Sequence, residues 1–172
     1  MKKLEKAIEF ATSAHLGQTR SDGSEYIQHP IRVMNLVREQ GVEDENTLCA
    51  AVLHDVLEDT NITRDIMERE FGKEVTDIVV QLTNAHPPRT PFAVKQAALL
   101  EHARHMDEPA KQIKVADRHD NISDCSAWEL FRRKRYANAA LDLLNALEPI
   151  PSNFVKLANI VREKSEKILQ ED

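Results

Sequence analysis

Apolar side chains recur along nearly the whole chain at intervals of three and four residues, and over no comparable length do they alternate. That period is the signature of one helix face after another, so a sheet has little sequence to draw on. Only four glycines interrupt the pattern, Gly17, Gly23, Gly41 and Gly72, each where a helix should stop or turn. Leu4, Ala7, Ile8, Ala11 and Ala14 fit one face of a first helix. Pro30 suits the first turn of a second, which carries Ile31, Val33, Met34 and Val37 and ends before Gly41. A third helix is expected over 46–58, and shorter ones over 61–70 and 73–82. The stretch His86-Pro87-Pro88-Arg89-Thr90-Pro91 cannot continue a helix and reads as a loop. Helices then follow over 92–105, 109–121, 127–147 and 153–169. The expectation is an all-α bundle, one domain over 1–172, with a helical extension at 152–171.

Hydrophobic residues make up 41% of the chain, enough for a substantial core and too many for disorder. Twenty-three basic residues against 29 acidic leave a net charge of −6, which argues against nucleic acid as a main partner. No run of about 18 apolar residues is present to span a membrane. The basic start, Met1-Lys2-Lys3, is followed by Glu5 and Glu9, unlike a signal peptide, so the cytoplasm is the expected compartment. Cys49 and Cys125 lack metal-ligand spacing and read as small apolar side chains on helices.

The chemistry concentrates in Leu53-His54-Asp55-Val56-Leu57-Glu58-Asp59-Thr60. On a continuous helix, His54 would stack over Glu58 and Asp55 over Asp59. Isolated His-Asp pairs commonly sit on solvated helix ends. Here Ala50, Ala51, Val52, Leu53, Val56 and Leu57 bury the helix almost all round, and buried charges need partners or a metal. A divalent cation would relieve three crowded carboxylates. The mixed histidine and carboxylate set does not suit calcium, and no thiolate favours structural zinc; manganese or iron suits it, with zinc the alternative.

Two further stretches flank that helix: His15-Leu16-Gly17-Gln18-Thr19-Arg20 leading to Tyr26-Ile27-Gln28-His29-Pro30, and Lys114-Val115-Ala116-Asp117-Arg118 ending at Asn121. The order H-x-G-Q-x-R, Y-I-x-H-P, L-H-D-x-x-E-D-T, F-G, K-x-A-D-R-x-x-N closely resembles the HD-type hydrolase domain of RelA/SpoT proteins. It is most similar to the stand-alone small alarmone hydrolases, over about residues 4–145. The resemblance implies one divalent metal, usually manganese, held by His29, His54, Asp55 and Asp117. It implies that Glu58 and Asp59 assist the attacking water, that Arg20 packs on a purine base, and that Asn121 contacts the sugar or phosphate region. The implied reaction removes pyrophosphate from the 3′ position of guanosine tetraphosphate or pentaphosphate, giving GDP or GTP. Lys114 and Arg118, flanking Asp117, are candidate phosphate contacts, and Arg89 in the proline loop is a weaker one. Too few residues remain outside the resemblance for a synthetase domain.

Three places depart from the usual pattern: Ser21 stands where lysine is common, Glu25 where proline is, and His119-Asp120 where leucine and an aromatic or histidine are. They leave the metal set intact and alter the substrate pocket. Two other readings stay open: an HD phosphohydrolase acting on another nucleotide or NADPH, and a nucleotide sensor without turnover, against which Glu58 and Asp59 argue. His15 is expected to pack beside the site, and His86, His102 and His105 to lie in loops or on the surface. Trp128 and the Arg132-Arg133-Lys134-Arg135 run read as a solvated, partly amphipathic helix.

Overall fold

The computed structural model describes residues 2–172. Met1, part of the basic start noted above, lies outside them. Among the described residues there is no β-strand, only an isolated antiparallel bridge between Thr19 and Glu25. The chain divides into two compact units, 1–85 and 86–172, and the division falls at the start of the proline loop. Each has its own helices and core.

The first unit holds α1 (Lys3–Ala14), α2 (Gln28–Glu39), α3 (Glu45–Leu53), α4 (Val56–Asp59), α5 (Arg64–Phe71) and α6 (Lys73–Leu82). Its centre is α3, where every residue from Thr47 to Leu53 is buried, and which packs against α1, α2 and α6. A helix apolar all round can only be central, and this one is. Its start is fixed by Asp44, whose carboxylate accepts from the Thr47 amide and hydroxyl, both at 2.7 Å. Those two bonds hold the Asp44 carboxyl below its ordinary pKa. Leu53 is fully buried, so truncating it to alanine should cost about 2–5 kcal/mol. Gly72 joins α5 to α6 with φ of 84°, a left-handed conformation that disfavours any side chain.

The expected helix over 46–58 is not continuous. It stops after Leu53, turns through His54 and Asp55, and resumes as the single turn α4. The cause is local competition: the His54 ring Nδ1 lies 2.8 Å from the Ala51 carbonyl and takes up an acceptor on the helix's last turn. The stacking of Asp55 over Asp59 survives, because the Asp59 amide still donates to the Asp55 carbonyl at 2.8 Å. The stacking of His54 over Glu58 does not, and the two side chains have different partners.

The second unit holds α7 (Phe92–Ala103), α8 (Glu108–Ser123), α9 (Leu130–Ala146) and α10 (Val155–Leu169), with 3₁₀ turns at Cys125–Ala127 and Ser152–Phe154. Helix α10 packs on α8 and α9, and α7 packs on α9. Asp107 caps α8 by accepting from the Ala110 amide, and Pro109 occupies its first turn, where no amide hydrogen is needed. The expected helix over 127–147 starts later, at Leu130, because Trp128 is extended (φ −86°, ψ 150°) and its amide bonds the Cys125 carbonyl. Both cysteines are free and buried, as their spacing implied, and burial pushes the Cys49 thiol up to about 11. Among the described residues, no helix is long and apolar enough to cross a membrane.

Candidate metal centre

Three helix ends of the first unit converge on one small volume. His29 sits in the first turn of α2, beside Pro30, and is 1% exposed. His54 closes α3 and is 2% exposed. Asp55 follows it and opens α4. One ligand atom from each lies within 4.8 Å of the others, and these three form the group of histidine and carboxylate donors that could hold a metal ion.

The donor chemistry fits such an ion. With the Ala51 carbonyl accepting at 2.8 Å, the His54 Nδ1 carries the proton in the neutral ring, which gives Nε2 the lone pair. That Nε2 stands 3.0 Å from Asp55 Oδ2, and His29 Nε2 stands 3.6 Å from the same oxygen. The His54 Nε2 lone pair facing a carboxylate is repelled unless something positive lies between them. Ligand atoms held about 2.1 Å from one metal stand roughly 3–4 Å apart, the interval in which both separations fall.

The surrounding groups fix this geometry. The Tyr26 hydroxyl donates to Asp55 Oδ2 at 2.6 Å and lies 3.2 Å from Asp59 Oδ2, so it ties the ligand carboxylate to its neighbour one turn on. Gln18 Nε2 donates to the Asp59 main-chain carbonyl at 2.8 Å, and Gln18 Oε1 lies 2.8 Å from His15 Nδ1. His15 is buried and packs its ring 4.8 Å from Tyr26, beside the cluster. Rings of Tyr26 and His29 meet edge to face at 5.9 Å, and those of His29 and His54 at 5.2 Å. Glu58 Oε2 accepts from the Asn84 amide at 2.8 Å. The Asp59 carboxyl is held above its ordinary pKa by burial first, then by the charges of Asp55 and Glu58.

Asp117 belongs to the second unit, on α8, with Lys114, Arg118 and Asn121 on neighbouring turns of the same helix. Asn121 donates to Asp117 Oδ1 at 2.6 Å, and the Lys114 ammonium is 3.9 Å from Oδ2, both of that pair buried. The Arg118 guanidinium lies over the Tyr136 ring at 4.9 Å, and burial pushes the Tyr136 phenol up to about 12. Arg20 lies in the loop before α2, where its amide donates to the Ser24 carbonyl at 2.9 Å. Arg89 is exposed and has φ of 68°, uncommon for a residue with a side chain. His102 and His105 are on the surface, as expected.

Two residues that touch the candidate side chains had no role assigned from the sequence. Tyr26 was legible as part of the Y-I-x-H-P stretch but had no role, although its place three residues before His29 put it one turn away. Tyr136 carried no signal beyond its position next to a basic run.

The pattern that describes the HD domain family matches residues 7–148. The chain belongs to the HD domain family. Among relatives of this HD chain, the bifunctional (p)ppGpp synthase/hydrolase SpoT of Escherichia coli K12 is 37% identical over 153 residues, covering 86% of this chain. The chain spans only about a fifth of that protein, 21% of its length. The human guanosine-3′,5′-bis(diphosphate) 3′-pyrophosphohydrolase MESH1 is 34% identical over 154 residues, 85% of each chain. A solved metazoan ortholog of SpoT, described as hydrolysing ppGpp, superposes with a TM-score of 0.83 at 27% identity, covering 99% of this chain and 95% of that one. A Listeria monocytogenes protein shares the fold, with a TM-score of 0.70 at 24% identity over 83% of this chain and 94% of its own.

Proposed function

We propose that this chain acts as one HD hydrolase domain that removes the 3′-pyrophosphate from guanosine tetraphosphate or pentaphosphate, giving GDP or GTP. The observation that carries the reading is the cluster of buried His29 and His54 with half-buried Asp55, and Glu58 and Asp59 on the very next turn. In this reading Asp117 is the fourth ligand of one divalent ion, most suitably Mn²⁺, with Fe²⁺ or Zn²⁺ as substitutes. A divalent ion bound there lowers the pKa of water and polarises a phosphoryl oxygen.

The chain's own residues do the rest. A water oxygen forms a bond to the phosphorus attached to the 3′ oxygen, that phosphorus–oxygen bond breaks, and the 3′ oxygen leaves with a proton. Asp59, raised by burial and by its anionic neighbours, is suited to hold or pass that proton. Glu58, fixed by the Asn84 amide, orients the water. Tyr26 keeps Asp55 and Asp59 in register. Arg20 packs on the base, and Lys114, Arg118 and Asn121 serve the phosphates and sugar. A nucleotide substrate of this kind belongs to the cytoplasm and needs neither nucleic acid nor membrane.

The test is product analysis in manganese buffer, with guanosine tetraphosphate, its adenosine counterpart, GTP and NADPH offered separately. Rapid release of pyrophosphate from the first supports the proposal. No turnover of guanosine tetraphosphate with clear turnover of another member would leave an HD phosphohydrolase of different specificity.

A further inference from the structure

The second unit carries a cavity of about 250 Å³ whose polar lining is Ser123, Ser126, Arg133, Lys164 and Lys167. None of these belongs to the proposed catalytic set, and both lysines lie beyond residue 148, where the family match ends. Lys164 and Lys167 stand three residues apart on one face of α10, and Arg133 comes from α9. Among the described residues one carboxylate pairs with the three cations: Glu171, whose Oε1 accepts from Arg133 at 2.5 Å. The Lys164 ammonium donates instead to Ser123 Oγ at 2.7 Å, and that hydroxyl donates to the His119 carbonyl at 2.6 Å. The Arg133 Nε–H is buried and finds no acceptor among the described residues.

Three cations against one carboxylate leave this spot positive on a chain whose net charge is −6. Holding like charges together is unfavourable in a partly desolvated wall, and a buried N–H without an acceptor adds to the cost. An anion with several oxygens resolves both, since it accepts from a guanidinium and from ammonium groups together. The volume lies below the roughly 300–1,000 Å³ usual for pockets that take drug-sized ligands, which favours a small ion over a whole nucleotide.

We propose that this cavity binds a small phosphate-type oxyanion, inorganic phosphate or pyrophosphate. The site is independent of the hydrolase reading, because it uses other residues. Amide shifts of the full chain by nuclear magnetic resonance, on titration with sodium phosphate, sodium pyrophosphate and GDP in parallel, test it. The expected result is saturable shifts at residues 123–126 and 164–168 with phosphate or pyrophosphate. A Lys164→Gln/Lys167→Gln variant should weaken that binding by about tenfold or more while keeping wild-type turnover. Lys167→Glu is the second variant; its side chain is exposed, so folding should be unaffected, and charge reversal should abolish the shifts. Shifts confined to GDP, no shifts at these residues with either free anion, or binding unchanged in Lys167→Glu would each overturn the proposal.

Discussion

Two aspartates proposed above as metal ligands stand in different electrostatic surroundings. Asp55, in the first unit, is flanked by the Nε2 atoms of His54 and His29 at 3.0 and 3.6 Å, with Asp59 and Glu58 close behind. Asp117, in the second unit, has the Lys114 ammonium 3.9 Å from one oxygen and the Asn121 amide 2.6 Å from the other. The first is an anion among other anions and imidazole nitrogens, with the Tyr26 hydroxyl donating to it at 2.6 Å; the second has a cation and an amide donor from its own helix. The difference teaches that a ligand residue can be kept for its site or for its fold, and that the two can be separated. Asp55 faces neighbouring carboxylates that a cation would relieve. Asp117 contributes to its unit whether or not a cation is bound.

Among substitutions that should spare the metal, the largest expected effect comes from the crowded side. Glu58→Gln and Asp59→Asn should each slow turnover by roughly 10²-fold or more, the usual scale for a lost acid or base, with metal content unchanged. Turnover and metal analysis on the same preparations check this. Loss of metal would make these carboxylates ligands and redraw the first region.

Next in size is the substrate side. Arg20→Ala should raise KM about ten- to thirtyfold with a smaller change in kcat, since a desolvated stacking cation contributes roughly 1–2 kcal/mol in ground and transition states alike. Steady-state kinetics decide it: a fall in kcat alone would mean that Arg20 acts on the chemistry and not on the base.

The smallest effect bears most directly on the two regimes. In metal-free protein, Asp117→Asn should lower stability by about 1–3 kcal/mol, because the buried Lys114 loses a charge partner. Asp55→Asn should leave it unchanged or raised, because one negative charge leaves the cluster. Thermal melts in chelator compare them, with roughly 2–4 °C expected per kcal/mol in a chain of this size. Equal destabilisation by both substitutions would dissolve the contrast.

Much of this was legible in the sequence, for identifiable reasons. Helix α6 falls at residues 73–82 as its apolar spacing required, because Gly72 and Thr83 stop it from both ends. His54 and Asp55 stood out because charged residues in such apolar surroundings have few alternatives to a partner or an ion, whereas His29 joined them only through the resemblance of the Y-I-x-H-P stretch. The break of α3 at His54 was not readable. Periodicity runs unbroken through it, and the ring's contact with the Ala51 carbonyl is a side-chain feature that spacing does not encode. Tyr26 was missed for a related reason: a hydroxyl that bridges two carboxylates depends on a contact between residues 26, 55 and 59, which no local spacing encodes. The C-terminal cations were read as a solvated face, and Arg132 and Arg135 do lie over Trp128 and Phe92 at 4.1 and 4.6 Å. Arg133 differs because α10 brings lysines to it from thirty residues on.

Under the proposed function, the His29, His54 and Asp55 cluster holds one divalent ion needed for hydrolysis. Metal analysis of protein purified without chelator, followed by chelation and a manganese add-back series, tests it with wild type and Asp55→Asn side by side. About one manganese, iron or zinc ion per wild-type chain is expected, with loss of hydrolysis on chelation and recovery on add-back, and neither metal nor hydrolysis in Asp55→Asn. Full activity in strong chelator with no metal bound would contradict it.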